Sequence, residues 1–211
     1  MQIQKLAPYF SVFQIDIADG KFVPNTTVQI GETVQKFKTQ KSAYKNLTFD
    51  FHLMVTDYKK NIKLLAKLKT YIHIKNIFVH FSLSPDLKKL KRLFPQFSTG
   101  LVLDAKDQVE DVTAQYDLKQ VPFIQIMTIR SGFQGNPFIE ELLLKIEQLR
   151  KIGYRSKIYI DGAVNDKTLP VICGRRYKPD CVGVGSFFSK TQDVENALKK
   201  LSSIIQSNPG F

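Results

Sequence analysis

Phe13-Gln14-Ile15-Asp16-Ile17 places its apolar side chains on one face of a strand and Gln14 and Asp16 on the other, because successive strand side chains point to opposite faces. Phe49-Asp50-Phe51-His52-Leu53-Met54 repeats the device, with Asp50, His52 and Met54 out of phase with Phe49, Phe51 and Leu53. Ile158-Tyr159-Ile160-Asp161 ends on an aspartate opposite in phase to its two isoleucines. Three short strands therefore carry ionisable groups toward their C-terminal ends, on the face turned away from an apolar layer.

Working outward from these stretches, short β-branched or aromatic runs alternate with longer segments of helical periodicity. Strands are expected at Phe13–Ile17, Thr48–Met54, Asn76–Phe81, Gly100–Leu103, Phe123–Ile129, Lys157–Ile160 and Cys181–Val184. Helices are expected at about Gly31–Gln40, Tyr58–Thr70, Pro85–Leu93, Val109–Tyr116, Phe138–Ile152, Lys167–Cys173 and Thr191–Gln206. Seven β-then-α units imply a parallel sheet covered by helices, and their number favours a TIM-type (β/α) barrel over an open sheet. No G-x-G-x-x-G follows the first strand, so a dinucleotide fold loses its main support.

The chain of 211 residues suits one α/β domain spanning 1–211, and no composition shift or Gly/Ser-rich linker divides it. Two cysteines, Cys173 and Cys181, are too few for a disulfide framework, so core packing is their expected role. Neither a signal pattern nor a run of about 18 apolar residues is visible, so no membrane association and a cytoplasmic location are expected. The net charge of +12 favours anionic partners. Lys59, Lys60, Lys63, Lys67 and Lys69, and likewise Lys88, Lys89, Lys91 and Arg92, interleave with leucines at helical spacing. They read as the solvated faces of two amphipathic helices. Without zinc spacing or an aromatic RNA-binding signature, nucleic acid is not the expected partner.

An inward cluster of Asp16, His52 and Asp161 suggests a functional site, against the competing reading of a hydrogen-bonded network that pins the barrel. Two carboxylates in one small space share a proton, bind a cation, or act as acid and base. Glycine loops follow three late strands: Ser131-Gly132-Phe133-Gln134-Gly135-Asn136, Gly162 after Asp161, and Gly183-Val184-Gly185-Ser186. Such loops let backbone approach an anion at the mouth of a barrel.

At these residues the sequence resembles the ribulose-phosphate 3-epimerase family. Asp16-Ile17-Ala18-Asp19-Gly20-Lys21-Phe22-Val23-Pro24-Asn25 looks like D-V-M-D-G-x-F-V-P-N, and Asp50-Phe51-His52-Leu53-Met54-Val55 like D-x-H-L-M-V. Met127-Thr128-Ile129-Arg130-Ser131-Gly132-Phe133-Gln134-Gly135 resembles M-T-V-x-P-G-F-G-G, and Asp161-Gly162-Ala163 resembles D-G-G. The resemblance implies a barrel of the ribulose-phosphate-binding kind, acting on a small phosphorylated sugar, with a homo-oligomeric assembly. It implies interconversion of ribulose 5-phosphate and xylulose 5-phosphate, or of a related ketose phosphate, through a metal-stabilised enediolate. By motif position Asp16 and Asp161 are the acid/base pair. Asp16, His52 and Asp161 would ligate a divalent metal (Zn, Fe, Mn or Co). Met54 and Met127 would pack around the intermediate, and Gly132, Gly135, Gly162, Gly185 and Ser186 would surround the phosphate.

The departures are specific. Gln14 stands where the family has a histidine ligand, and an amide oxygen is the poorer ligand for zinc-like metals, so the metal would bind weakly or not at all. Ala18 replaces a methionine, Gln134 a phosphate-loop glycine, and Ala163 the second glycine of D-G-G. The family's first strand is expected to be missing, with Gln4–Tyr9 a remnant of its first helix. These changes support the alternative of a catalytically degenerate barrel that binds a phosphorylated ligand or a protein partner. Among the remaining candidates, His80 is read as lining the barrel mouth or as structural, and His73 as solvated in a connection. Asp104 and Asp107 are expected to cap a helix, and Asp19-Gly20 to make a tight turn.

Overall fold

The computed structural model describes residues 2–132 and 135–208, and the chain divides after Leu101 into two compact units. The first unit opens with α1 (Gln2–Leu6). It continues through β1 (Val12–Ala18), α2 (Ile30–Thr39), β2 (Thr48–Met54), α3 (Tyr58–Leu68), β3 (His73–His80) and α4 (Leu87–Leu93). The strand β4 (Ser98–Leu103) runs across the division. The second unit holds α5 (Val109–Gln115), β5 (Phe123–Met127), α6 (Leu144–Lys151), β6 (Lys157–Asp161), α7 (Leu169–Cys173), β7 (Cys181–Gly183), α8 (Ser186–Lys190) and α9 (Val194–Gln206). All seven expected strands form, and a helix follows each.

In the first unit β1 pairs with β2 and β2 with β3, all parallel. Ile17, Phe49, Phe51, Leu53, Ile77 and Val79 are fully buried and meet the apolar stripes of the helices. The stripe of α3 is Tyr58, Ile62, Leu65 and Leu68, while Lys59, Lys60, Lys63 and Lys67 on its other face are exposed. Asp57 caps this helix by accepting from the Lys60 N–H at 2.9 Å, and Asp86 caps α4 through Lys89 in the same way. The basic residues are thus the solvated faces of amphipathic helices. No helix among the described residues is long and apolar enough to cross a membrane.

The β2–β3 pairing contains one irregularity that bears on the site. Phe49 pairs with Ile74, but Phe51 pairs with Ile77, so Lys75 and Asn76 together oppose Asp50. This is a β-bulge, and the extra residue reverses the phase of β3 beyond it. The buried Asp50 carboxylate fills the gap, accepting from the Asn76 backbone N–H at 3.0 Å and from its side-chain Nδ2 at 3.1 Å. Burial pushes the Asp50 carboxyl above its usual range, with the Asn76 bonds opposing that shift.

In the second unit β5, β6 and β7 pair in parallel in that order. Several element starts differ from expectation for local reasons. The helix expected from Phe138 begins as a 3₁₀ turn at Glu140–Leu143 before α6. The helix expected from Lys167 starts at Leu169, because Asn165 Oδ1 accepts from the Lys167 and Thr168 N–H groups and makes a turn. The last helix starts at Val194, where Asp193 caps it through Asn196. The short α8 was not foreseen. In the first unit β3 starts at His73, whose Nδ1 lies 3.1 Å from Thr48 Oγ1, so this exposed histidine belongs to the strand and not to the connection before it.

Removing the Asp50 carboxylate leaves two Asn76 donors buried without it. Asp50→Ala is expected to lower stability by about 2–3 kcal/mol, read from urea denaturation midpoints.

Candidate active site

Each strand delivers its ionisable group by register. On β1 and β2 the paired positions are Gln14 with Asp50, Asp16 with His52 and Ala18 with Met54. Paired residues of a parallel ladder share a face, so Gln14, Asp16, Asp50, His52 and Met54 line one side. His52 is fully buried, and its Nδ1 lies 3.3 Å from Oδ1 of Asp16, whose side chain stays 45% exposed. Ala18 and Met54 are buried in a small cluster with Val23 and the half-buried Phe22.

His80 lies against His52. The two Nε2 atoms are 2.9 Å apart and the rings stack at 5.0 Å and 23°. The Phe22 ring packs on the other neighbour, 4.6 Å from the His80 ring. His80 reaches this position because His52 pairs with Phe78 beyond the bulge, which puts His80 in phase with His52.

Asp19 fixes the loop that carries Phe22. One carboxylate oxygen accepts from the N–H groups of Lys21 and Phe22, at 2.9 and 2.8 Å. The other accepts from the N–H and hydroxyl of Thr56, both at 2.8 Å. The expected turn at Asp19-Gly20 is present, and the carboxylate also ties the β1–α2 loop to the start of the β2–α3 loop. Partial burial alone would raise the Asp19 carboxyl. The four hydrogen bonds outweigh it and hold the group at about 2, against an ordinary 3.8.

In the second unit Asp161 ends β6, in register with Met127 on β5 and Gly183 on β7. Gln125, nearly fully buried and in phase with Met127, donates from Nε2 to Asp161 Oδ2 at 3.3 Å. Sequence reasoning missed Gln125, although one polar residue in the apolar run Phe123–Met127 was a visible signal. Thr128 Oγ1 donates to the Gly162 carbonyl at 2.6 Å and pins the turn after Asp161. Gly162 has φ +119°, and a Cβ there would lie 2.8 Å from Ile129 Cγ1 and 3.0 Å from its backbone N. Ala163 follows with φ +52°, a left-handed conformation unusual for a residue with a side chain.

The proposed phosphate group is spread along this unit. Gly132 and Gly135 both have positive φ, and Phe133 and Gln134 between them lie outside the described residues. Ser186 begins α8 and is the one member of the set that lines a cleft of about 450 Å³, with Asn165, Asp166, Lys167, Phe187 and Lys190. Asp104 and Asp107 do not cap a helix. Asp107 Oδ2 accepts from the Asp104 N–H at 2.8 Å, Asp104 Oδ1 accepts from Ala105, and the cap of α5 is Gln108. The two carboxylates instead shape a loop that buried Lys145 holds, donating from Nζ to the carbonyls of Asp104 and Ala105. Burial raises the Asp107 carboxyl and lowers the Lys145 ammonium. Cys173 is buried and Cys181 half-buried, both as free thiols.

Residues 2–185 match the model of the ribulose-phosphate 3-epimerase family. The ribulose-phosphate 3-epimerase of Helicobacter pylori is 29% identical over 199 residues, covering 92% of this chain and 86% of that protein. The Methanocaldococcus jannaschii protein of the same name is 28% identical, covering 90% of this chain and 77% of its own. Among solved structures, 3-keto-L-gulonate-6-phosphate decarboxylase from Vibrio cholerae superposes with a TM-score of 0.64 at 14% identity, over 98% of this chain and 90% of that one. KGPDC from Streptococcus mutans gives 0.68 at 12%, over 99% and 91%. The structural likeness shows the fold, a (β/α) barrel type with seven strands.

Two outcomes follow from this geometry. Asp19 is deprotonated more readily in the folded chain than in the unfolded one. Its contribution to stability is therefore complete above about pH 4 and is lost as pH falls to about 2. Asp19→Asn is expected to flatten that part of the stability profile, measured as urea midpoints at successive pH values. Ala163→Gly is expected to raise stability by about 1 kcal/mol, by relieving the left-handed backbone, in the same assay.

Proposed function

The chain belongs to the ribulose-phosphate 3-epimerase family, and on that premise we propose that it interconverts ribulose 5-phosphate and xylulose 5-phosphate, or a closely related pair of ketose phosphates. One of Asp16 and Asp161 removes the proton from C3, beside the C2 carbonyl. The electron pair passes into the enediolate, and the other aspartate returns a proton to the opposite face of C3. The C3 configuration inverts and no atom is lost.

The observation that carries this reading is the pairing of Asp16 with His52, within motifs that match the family in order and spacing. A carboxylate oxygen 3.3 Å from a buried imidazole nitrogen, with the second ring nitrogen against His80, is the donor arrangement a divalent metal takes. By family motif position Asp161 would join Asp16 and His52 as a ligand of such an ion. Gln14 stands on the same face as Asp16 and would offer an amide oxygen, which favours harder ions than an imidazole would. A bound divalent cation would supply positive charge for the enediolate oxygens. Gln125 orients the Asp161 carboxylate by its 3.3 Å hydrogen bond, and Thr128 and Gly162 fix the turn behind it. Met54 and Met127 supply apolar contact for the intermediate. Gly132, Gly135, Gly162, Gly185 and Ser186 are assigned to the substrate phosphate, since glycine lets backbone N–H groups approach an anion.

The test is turnover. Purified chain incubated with ribulose 5-phosphate and Zn²⁺, Mn²⁺, Fe²⁺ or Co²⁺ is expected to form xylulose 5-phosphate, with solvent deuterium incorporated at C3. Asp16→Asn and Asp161→Asn are each expected to lose roughly 10²–10⁴-fold in kcat. No turnover with any metal, or no difference between wild type and Asp161→Asn, would sink the reading and favour a binding-only barrel.

A further inference from the structure

We infer that His80 is a positioning residue, which accepts the Nε2 proton of His52 and so leaves the His52 Nδ1 lone pair beside Asp16 for a cation. The inference rests on the metal-binding reading above and adds to it a residue outside the ligand set.

A neutral imidazole carries one proton, so one ring nitrogen donates and the other accepts. With 2.9 Å between the two Nε2 atoms, one of them must carry the shared proton and the other accept it. If His52 is to present a lone pair at Nδ1, 3.3 Å from Asp16 Oδ1, its own proton must sit on Nε2. His52 is fully buried, so that N–H needs a protein acceptor, and His80 Nε2 is in place to be one. His80 is equally buried, and its ring is held between the stacked His52 ring and the Phe22 ring, at 5.0 and 4.6 Å. It therefore fixes the orientation of the His52 ring as well as its tautomer.

The backbone is arranged for this contact. Continued pairing from Phe49 with Ile74 would set His80 on the face opposite to His52. The bulge at Lys75-Asn76, filled by Asp50, reverses that phase. Phe22 is presented by the loop that Asp19 secures. Two buried or half-buried carboxylates outside the proposed ligand set thus hold the two sides of one histidine.

The test uses the full chain labelled with ¹⁵N-histidine, which gives only three ring systems, from His52, His73 and His80. Zn²⁺ serves as a diamagnetic probe. In the Zn²⁺-loaded wild type, the His52 ring is expected to carry its proton on Nε2, with a nitrogen–nitrogen coupling to His80 across the hydrogen bond. By calorimetry, His80→Leu is expected to weaken Zn²⁺ binding roughly 10–100-fold. His80→Gln, whose amide oxygen can accept the same proton, is expected to regain most of that loss. Unchanged affinity in His80→Leu, or a loaded wild type with no proton on His52 Nε2, would overturn the inference and leave the metal reading intact. If His80→Leu does not fold, the wild-type spectrum and the His80→Gln affinity decide. A wild type that takes up no divalent cation would overturn the metal reading and this inference with it.

Discussion

The two-residue period of a β-strand is the constraint on which the placement of every candidate side chain depends. Asp16 and His52 meet because their strands pair at those positions, and Gln125 reaches Asp161 because it shares a phase with Met127. A slip of one residue would send each set into the helical layer. Such a register is secure only where the apolar face is strongly committed. Here it is: Phe49, Phe51 and Leu53 alternate with the site residues and are fully buried. The same period explains why a single inserted residue matters. At Lys75-Asn76 the ladder gains one residue, and every side chain of β3 beyond it changes face. The core accepts the change because Ile77 and Val79 then point inward to the apolar cluster, while Phe78 and His80 turn to the side of His52.

Carboxylates outside the proposed reaction hold the loops that the period alone cannot position. Asp50 holds the bulge, Asp19 ties two loops, and Asp104 and Asp107 shape a third that Lys145 secures. Each accepts from backbone N–H groups, the strong charge-assisted kind of hydrogen bond. Their protonation behaviour divides by burial. Asp19 is partly open and keeps its charge at low pH, whereas Asp50 and Asp107 are pushed up by desolvation.

Much of this was legible in the sequence. Alternation in Phe13–Ile17, Phe49–Met54 and Ile158–Asp161 gave the strands and the inward residues, and seven βα units gave the fold class. The bulge was not legible, because Lys75 and Asn76 read as ordinary residues of a connection or strand, and only pairing with β2 reveals the extra one. The face of His80 is not legible for the same reason, since it depends on that bulge. Asp104 and Asp107 read as helix caps in the sequence because acidic residues before a helix usually are. Their carboxylates instead accept from the N–H groups of Asp104 and Ala105 in their own loop, and Lys145, about forty positions away, donates to the backbone carbonyls of the same two residues. Helix starts at Lys167 and Thr191 were misplaced by two or three residues, where Asn165 and Asp193 side chains compete for the first N–H groups.

Two adjacent positions in the turn after Asp161, one a retained glycine and one changed, show which changes this fold can absorb. At Gly162 a side chain would need φ +119° and would meet the backbone N of Ile129, two residues past the end of β5, at 3.0 Å as well as its side chain at 2.8 Å. At Ala163 the penalty is conformational and local, a left-handed backbone costing about 1 kcal/mol. The turn has other anchors: Thr128 Oγ1 bonds the Gly162 carbonyl, and Asn165 Nδ2 and Thr168 Oγ1 both bond the Ala163 carbonyl. These bonds over-determine the turn, so the strain is held without displacing Asp161. At Gly162 the backbone conformation and the contact with the Ile129 main chain oppose a side chain together. The glycine beside the aspartate therefore stays while the next one changes, and the loss of a family glycine at position 163 is no sign, by itself, that the site has relaxed.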